Sequence, residues 1–523
     1  MDNKDFQRAL IAIVVSFLVL IGYQYFFVKP TPRVEKPGKV VQQVRPHEKA
    51  SKPAVTEKQA IPQKIHPVIS GNLQETLVKV ETPLYIAEFS SRGGVIKKWE
   101  LKKYRTKQGA PIFLSKGIGD ILPLALGTDT EFNLSSINFK IIGGNLKLNK
   151  KNPHGVLTFV YNSGGISIRR TMKFYADSCR VDLTDDVKGI GDYWITLGEH
   201  FGITGAEGYR AHIGPVILMG TDRKEYKPSK LKEPVLLTPV DLKWAADEDM
   251  YFFAALVPLT EVSEVKLWSR QNSGLVAFKV KAGKSQYVLY AGPKVIDELK
   301  PLNLGLENIV DFGFFSIIAR PIFWLLKYIN KLIGNYGWSI IVLTILLRVP
   351  FIPLLNKGQK SMKKMQALQP RMAEIKEKYK KDPQKMQKEM MAMYKKYKVN
   401  PMGGCLPMLV QIPVFFALYK VLLVAIEMRD APWILWIQDL SAKDPIYVLP
   451  IIMGATMFLQ QKMTPTSADP KQAKIMMFMP IIFTFMFLNF PSGLVLYWLM
   501  SNLLSIIQQF FVNKKLAAEE AAS

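Results

Sequence analysis

Arg348 sits inside the apolar stretch SIIVLTILLRVPFIPLL, residues 339–355. A guanidinium stays charged at every physiological pH; it donates five N–H bonds and accepts none. Thr344 lies four residues earlier, so a helix places both on one face. Other apolar runs repeat the pattern. Gln411 falls within CLPMLVQIPVFFALY, and Thr456 and Gln460 share a face of the run 446–461. Tyr497, Ser501, Ser505 and Gln508 form a stripe at helical spacing, with Trp498 and Asn502 beside it. Polar groups in membrane spans turn toward partners or water, so together these would line a hydrophilic cavity. Taken singly, each is better explained as interhelical glue. Arg348 alone is also explained by snorkelling, since the cytoplasmic end lies about eight residues or ~12 Å away.

What is missing narrows the chemistry. No Asp, Glu or His lies inside any of the five apolar runs that follow residue 334; Glu427 stands at an edge. Arg348 therefore has no carboxylate partner there, and unaided at mid-bilayer it would cost ~2.5–3.5 kcal/mol. The expectation is that water, lipid phosphate or a passing client solvates it. Proton-coupled transport lacks titratable path residues. A metal centre or a His-based triad within the membrane lacks its ligands or base. The two cysteines, Cys179 and Cys405, have neither metal-ligand spacing nor a disulfide framework. AGKS at 282–285 is no P-loop, because Phe278 stands where its first glycine is required. No cofactor is expected.

Several kinds of element must position these residues. The chain has 523 residues and a formal net charge of +26. Residues 1–28 read as an uncleaved signal-anchor span, too long for a signal-peptide core and lacking a small-x-small cleavage site. Residues 29–67 form a Pro- and Lys-rich linker that cannot bury a core. Residues 68–310 show period-two runs such as GVLTFVYN and LVAFKVKA, broken by Gly, Asn and Asp, which predict a large β-sandwich. Residues 311–334 carry Arg320, Pro321, Trp324, Lys327 and Tyr328 in an apolar setting, the composition of an amphipathic helix lying on the membrane. A core span over 335–355 follows. Residues 356–404 form a basic hairpin of two amphipathic helices joined at Asp382-Pro383, a docking surface for a hydrophobic client, a ribosome or lipid headgroups. Residues 405–512 hold four more spans, the last two joined by the tight turn PSG. Residues 513–523 are a tail. The fold class is thus a polytopic α-helical membrane protein of six spans with a large extracytoplasmic β-sandwich.

Charge orients the spans. Residues 356–404 hold fourteen Lys/Arg against four acids, whereas 428–445 hold two basic residues and three Asp. The positive-inside rule puts the first loop in the cytoplasm and the second outside. The β-domain is then periplasmic and both termini cytoplasmic. The basic linker after residue 28 argues the reverse, but long domains translocate largely regardless of charge.

Three segments carry a family resemblance: NPMGGCLPMLVQIPVFFALYKVL, DAPWILWIQDLSAKDPIYVLPIIMGATMFLQQKM and FPSGLVLYWLMSNLLSIIQQ. They resemble the YidC bacterial membrane protein insertase family over about residues 334–512. The anchor, linker and outside domain are similar to its Gram-negative form. That resemblance implies five core spans around a positively charged groove open to cytoplasm and lipid. It places Arg348, Thr344, Gln411 and Trp498 on the groove, to which the polar stripes add Gln460 and Ser501, and Pro413 and Met486 on a client-contact wall. It implies an insertase and chaperone of the inner membrane, acting alone or with the Sec translocon. The implied partners are newly made membrane proteins, lipids and the ribosome, with no direct nucleic-acid contact. Relatives' outside domain is similar to sugar-binding folds; no sugar-site signature is visible here. The alternative, a small-solute secondary transporter, would need inverted repeats or titratable path residues.

Overall fold

A computed structural model describes residues 74–199, 201, 212–397, 399, 406–463 and 470–521, all within one compact unit, His66–Ser523. The signal-anchor span and the linker lie outside the described residues, as do Cys405 and the end of the basic loop.

The alternating runs form three antiparallel-rich sheets, one of nine strands and two of five. The long strands Ile166–Tyr175, Arg180–Lys188 and Gly283–Pro293 lie side by side in the nine-stranded sheet, and Arg180–Lys188 is the middle one. Its side chains alternate between buried and half-exposed, as period two requires. Phe89 of a five-stranded sheet meets Phe174 of the nine-stranded one edge-on at 5.3 Å. Arg170 and Asp185 face each other across two strands, and neither is exposed. Arg170 Nε and Nη2 each donate to one carboxylate oxygen at 2.8 Å. Its Nη1 donates to the Gly94 and Leu124 carbonyls at 3.0 and 2.6 Å. Every strong polar atom of this pair is thereby satisfied, as burial demands.

Three consecutive acids, Asp247, Glu248 and Asp249, are also buried. Glu248 pairs with Lys294 at 2.6 Å and Arg223 at 2.5 Å. Asp249 Oδ1 accepts the Tyr251 and Phe252 amides at 2.8 and 2.7 Å. Burial nevertheless raises its pKa to about 6, and burial raises Asp247 further still. The folded domain therefore holds these protons more tightly than the unfolded chain, where Asp titrates near ~3.9. Folding stability should accordingly rise as pH falls from about 7 to about 5, and Asp249→Asn should flatten that rise. Thermal unfolding of the full chain followed by tryptophan fluorescence would reveal it; a midpoint that falls over this window would sink the idea.

The second half is helical. Ser316–Ile333 (α1) has a Gly334 C-cap in the left-handed conformation. Ala319, Ile322, Phe323, Leu326 and Ile329 are buried, whereas Ile317, Trp324, Tyr328 and Leu332 are exposed. One face is thus buried and the other exposed, with Arg320 and Lys331 among the exposed residues. Tyr336–Arg348 (α2) begins at Asn335, whose side chain accepts the Trp338 amide at 3.2 Å. Here the structure departs from the expected order. A short 3-10 turn, Val349–Phe351, leads directly into Ile352–Ala367 (α3), so the span and the first hairpin helix are nearly continuous. The basic loop also contains three helices rather than two, with Gln369–Lys378 (α4) and Pro383–Lys396 (α5). Pro370 lacks an amide hydrogen and starts a new helix after Leu368. The expected joint at Asp382-Pro383 is present, with Asp382 accepting the Lys385 amide at 3.0 Å. Arg371 lies 4.8 Å from the Tyr397 ring, tying α4 to the end of α5.

Leu406–Val424 (α6), Val448–Met463 (α7), Pro470–Phe487 (α8) and Ser492–Ala521 (α9) complete the core. The PSG turn joins α8 to α9, with the Ser492 amide and hydroxyl both donating to the Ala442 carbonyl. Among the described residues, Tyr336–Ala367 and Ser492–Lys515 are long and apolar enough to cross a membrane. Gln411–Val424 and Met477–Phe487 are shorter apolar helices. Ile451, Leu459, Phe478, Ile482, Phe485 and Phe510 project outward, a surface that suits lipid rather than water.

The β-domain is pinned to the helical core at two places. Arg429, after α6, donates to the Arg105 carbonyl and lies about 6 Å from the Tyr251 and Phe252 rings. Lys327 of α1 pairs with Asp297 and stands 3.8 Å from Glu427.

Candidate functional site

Four helices converge on Arg348. α2 supplies Thr344, Leu347 and Arg348; the turn after it and α3 supply Phe351 and Leu355. α6 supplies Gln411 and Val414, and α9 supplies Tyr497 and Ser501. They enclose a cavity of about 30 Å³, room for about two waters. Its lining is mixed: Leu347, Phe351, Leu355 and Val414 are apolar, and Thr344, Arg348, Gln411, Tyr497 and Ser501 are polar.

Arg348 is half-buried. Its Nη1 donates to the Ser501 carbonyl at 3.2 Å, and its Nη2 donates to Ser505 Oγ at 2.8 Å and Gln508 Oε1 at 3.1 Å. The stripe on α9 is therefore its acceptor ladder. This corrects the expectation that only water, lipid or a client solvates the charge. The chain's own neutral oxygens do so, and no described carboxylate pairs with it. The positive charge is held but not cancelled. Thr344 Oγ1 is buried and donates to the Ile340 carbonyl at 2.6 Å within its own helix. Gln411 Nε2 donates to the Tyr497 hydroxyl, joining α6 to α9 across the cavity.

Of the expected groove residues, Arg348, Thr344, Gln411 and Ser501 come together. Trp498 and Gln460 do not line the cavity. Trp498 packs instead among Phe415, Phe483 and Phe487, at 4.8, 6.2 and 5.1 Å, between α6, α8 and α9. Tyr497 takes the aromatic place in the cavity. The helical spacing already carried that signal: Tyr497 and Ser501 are four apart, whereas Trp498 is turned ~100° away. Gln460 is on α7, whose described polar contacts run to α9. Asn502 Nδ2 reaches Thr456 Oγ1 at 3.4 Å, and Gln509 Nε2 donates to the Met463 carbonyl at 2.6 Å. On the expected wall, Pro413 is half-buried within α6, and Met486 is exposed on α8.

Known proteins place the chain. The pattern described as the YidC periplasmic domain matches residues 77–325, and that of the 60Kd inner membrane protein matches residues 328–519. The chain is 42% identical to the membrane protein insertase YidC of Syntrophus aciditrophicus, covering 97% of this chain and 99% of that protein. It is 39% identical to the YidC of Citrifermentans bemidjiense, covering 98% and 99%. Against the YidC of Nitratidesulfovibrio vulgaris it is 40% identical, covering 98% and 100%.

Proposed function

This chain belongs to the YidC family of membrane protein insertases, and on that premise we propose that the Arg348 cavity receives the hydrophilic segment of a client. The protein is a multi-pass inner-membrane insertase with a periplasmic domain, and the family is not one of enzymes. Its substrates are membrane proteins. The observation that carries the reading is a guanidinium held between four helices by neutral oxygens only. Such a charge is stabilised enough to persist in the membrane and remains free to attract an acid.

Arg348, Thr344, Gln411, Tyr497 and Ser501 then form the polar path. Pro413 on α6 and Met486 on α8 form the wall along which the client's span leaves for lipid. Gln460 and Trp498 act through helix packing. Polar walls shorten the low-dielectric distance that the tail must cross. Burial of a ~20-residue apolar segment supplies the driving force, so no nucleotide is required. The core spans 335–355 and the four within 405–512, with residues 1–28, give six crossings. Loop charge supports cytoplasmic termini, with the basic helices α3 to α5 also in the cytoplasm. Those helices are the surface offered to clients and to the ribosome. The Sec translocon is a partner for clients too large to insert by this route alone.

Arg348→Ala should lower insertion of an acidic-tailed client roughly tenfold, as loss of a close charge pair does, and that of a neutral-tailed client far less. Arg348→Lys should retain most activity, because charge outweighs fork geometry here. Protease protection of each tail in proteoliposomes reads the result, and an equal loss for both clients would refute the electrostatic role.

A further inference from the structure

Arg348 is held in place by two side chains that no resemblance assigned. Ser505 and Gln508 lie on α9, one and two turns beyond Ser501, and both accept from the same Nη2. Gln508 is itself oriented. Its Nε2 donates to Asn356 Oδ1 at 2.7 Å on α3, which leaves Oε1 directed at the guanidinium. Asn356 thus fixes the amide, and the amide fixes the arginine. All acceptors are neutral, and that is the informative feature. A carboxylate here would fit the same space and bind the charge more strongly.

We infer that Ser505 and Gln508 set the client selectivity of the cavity, by parking Arg348 on neutral oxygens that an incoming acidic side chain can displace. This rests on the reading that a client's tail meets Arg348. While the cavity is empty, the ladder satisfies the guanidinium and keeps it from stretching toward the membrane surface. When a carboxylate arrives, its negative charge binds the guanidinium more strongly than the neutral oxygens do. The serine hydroxyl and glutamine amide then yield without leaving a buried charge behind. A neutral or basic tail gains nothing from displacing them. Selectivity therefore resides in the weakness of the resting partner as much as in the arginine.

The test is an exchange of neutral for acidic, at constant shape in the case of Gln508→Glu. Full-length protein carrying Gln508→Glu, and separately Ser505→Asp, is reconstituted into liposomes of neutral lipid. Two versions of one short client, with acidic and neutral tails, are compared by protease protection, and the acidic-to-neutral ratio is the readout. Arg348→Ala is run alongside. The expected result is a roughly tenfold fall in the ratio for Gln508→Glu or Ser505→Asp, because a resident carboxylate occupies the site that the client needs. A merely structural role would depress both clients together and leave the ratio unchanged. If Arg348→Ala lowers the ratio but neither acidic variant does, the parking role is wrong and the reading of the cavity stands. If Arg348→Ala leaves the ratio unchanged, the reading itself falls and takes this inference with it.

Discussion

Arg170→Ala is expected to destabilise the periplasmic domain by about 3–5 kcal/mol, enough to unfold a domain of ordinary stability. The reason is what remains after the change. Asp185 is fully buried, and both its oxygens receive their hydrogen bonds from Arg170. The Gly94 and Leu124 carbonyls lose a donor at the same time. An unpaired carboxylate between sheets must either ionise at great cost or take up a proton. Removing both partners is different, because well-packed apolar residues of similar volume can replace a buried pair with little loss. The double variant Arg170→Met/Asp185→Leu should therefore recover much of the stability lost by Arg170→Ala. Urea unfolding of the full chain, followed by protease resistance of the β-domain, measures both. If Arg170→Ala shifts the midpoint no more than a surface substitution does, the buried pair does not hold the sheets together.

The same pair shows why some features were legible in the sequence and others were not. Alternation in ISIRRTMKFY and RVDLTDDVK is visible without coordinates, and strands result. Period two puts Arg170 in phase with Ile168 and Met172, and Asp185 in phase with Leu183 and Val187, but that the two meet depends on register between the strands. Register is set by tertiary packing, and no local pattern reports it. The helical core followed its composition more closely. The stripe on α9 appears where its spacing puts it. Pro370 is visible too, and it stands in the first turn of a new helix, where a missing amide hydrogen costs nothing.

At the candidate site the sequence delivered the charge and its helix face, and misplaced what surrounds the charge. The five apolar runs hold no carboxylate counter-ion, a lack that points to solvent or client. Serine and glutamine oxygens on α9 proved sufficient. They form a polar stripe in the sequence, yet which helix α2 faces cannot be read from either helix alone. The aromatic position was lost by a single residue for a related reason. Resemblance weighs identity at aligned positions, whereas helical phase decides direction, and phase favours Tyr497. Fold and function class lie in local periodicity and composition. The contacts that tune the site lie between helices.

Gly337→Leu is the second change expected to have a large effect. A β-carbon at Gly337 would stand 2.1 Å from Trp433 Cδ1, 2.2 Å from Cγ and 2.6 Å from Cβ. The indole has little freedom to withdraw. The Trp433 amide donates to the Ile437 carbonyl at 2.9 Å, and its own carbonyl accepts from Asn335 Nδ2 at 3.3 Å. Its ring meets Trp338 edge-on at 5.8 Å. The same Asn335 caps α2, so the loop after α6 is wedged onto the first turn of the helix that carries Arg348. Overpacking of this kind costs about 1–3 kcal/mol, and a leucine against a fixed indole belongs at or beyond the top of that range. The α2 start and the loop must separate, and the displacement passes along a rigid helix to Thr344 and Arg348. Insertion should then fall for acidic- and neutral-tailed clients alike, unlike the selective loss expected from Arg348→Ala. Removing the wedge should restore room: Gly337→Ala should lower the unfolding midpoint less in a Trp433→Ala background than in the parent. Thermal midpoints for the pair, read with insertion of both clients, distinguish a packing fault from an electrostatic one. A Gly337→Leu protein that unfolds and inserts like the parent would show that the indole does not close on this helix.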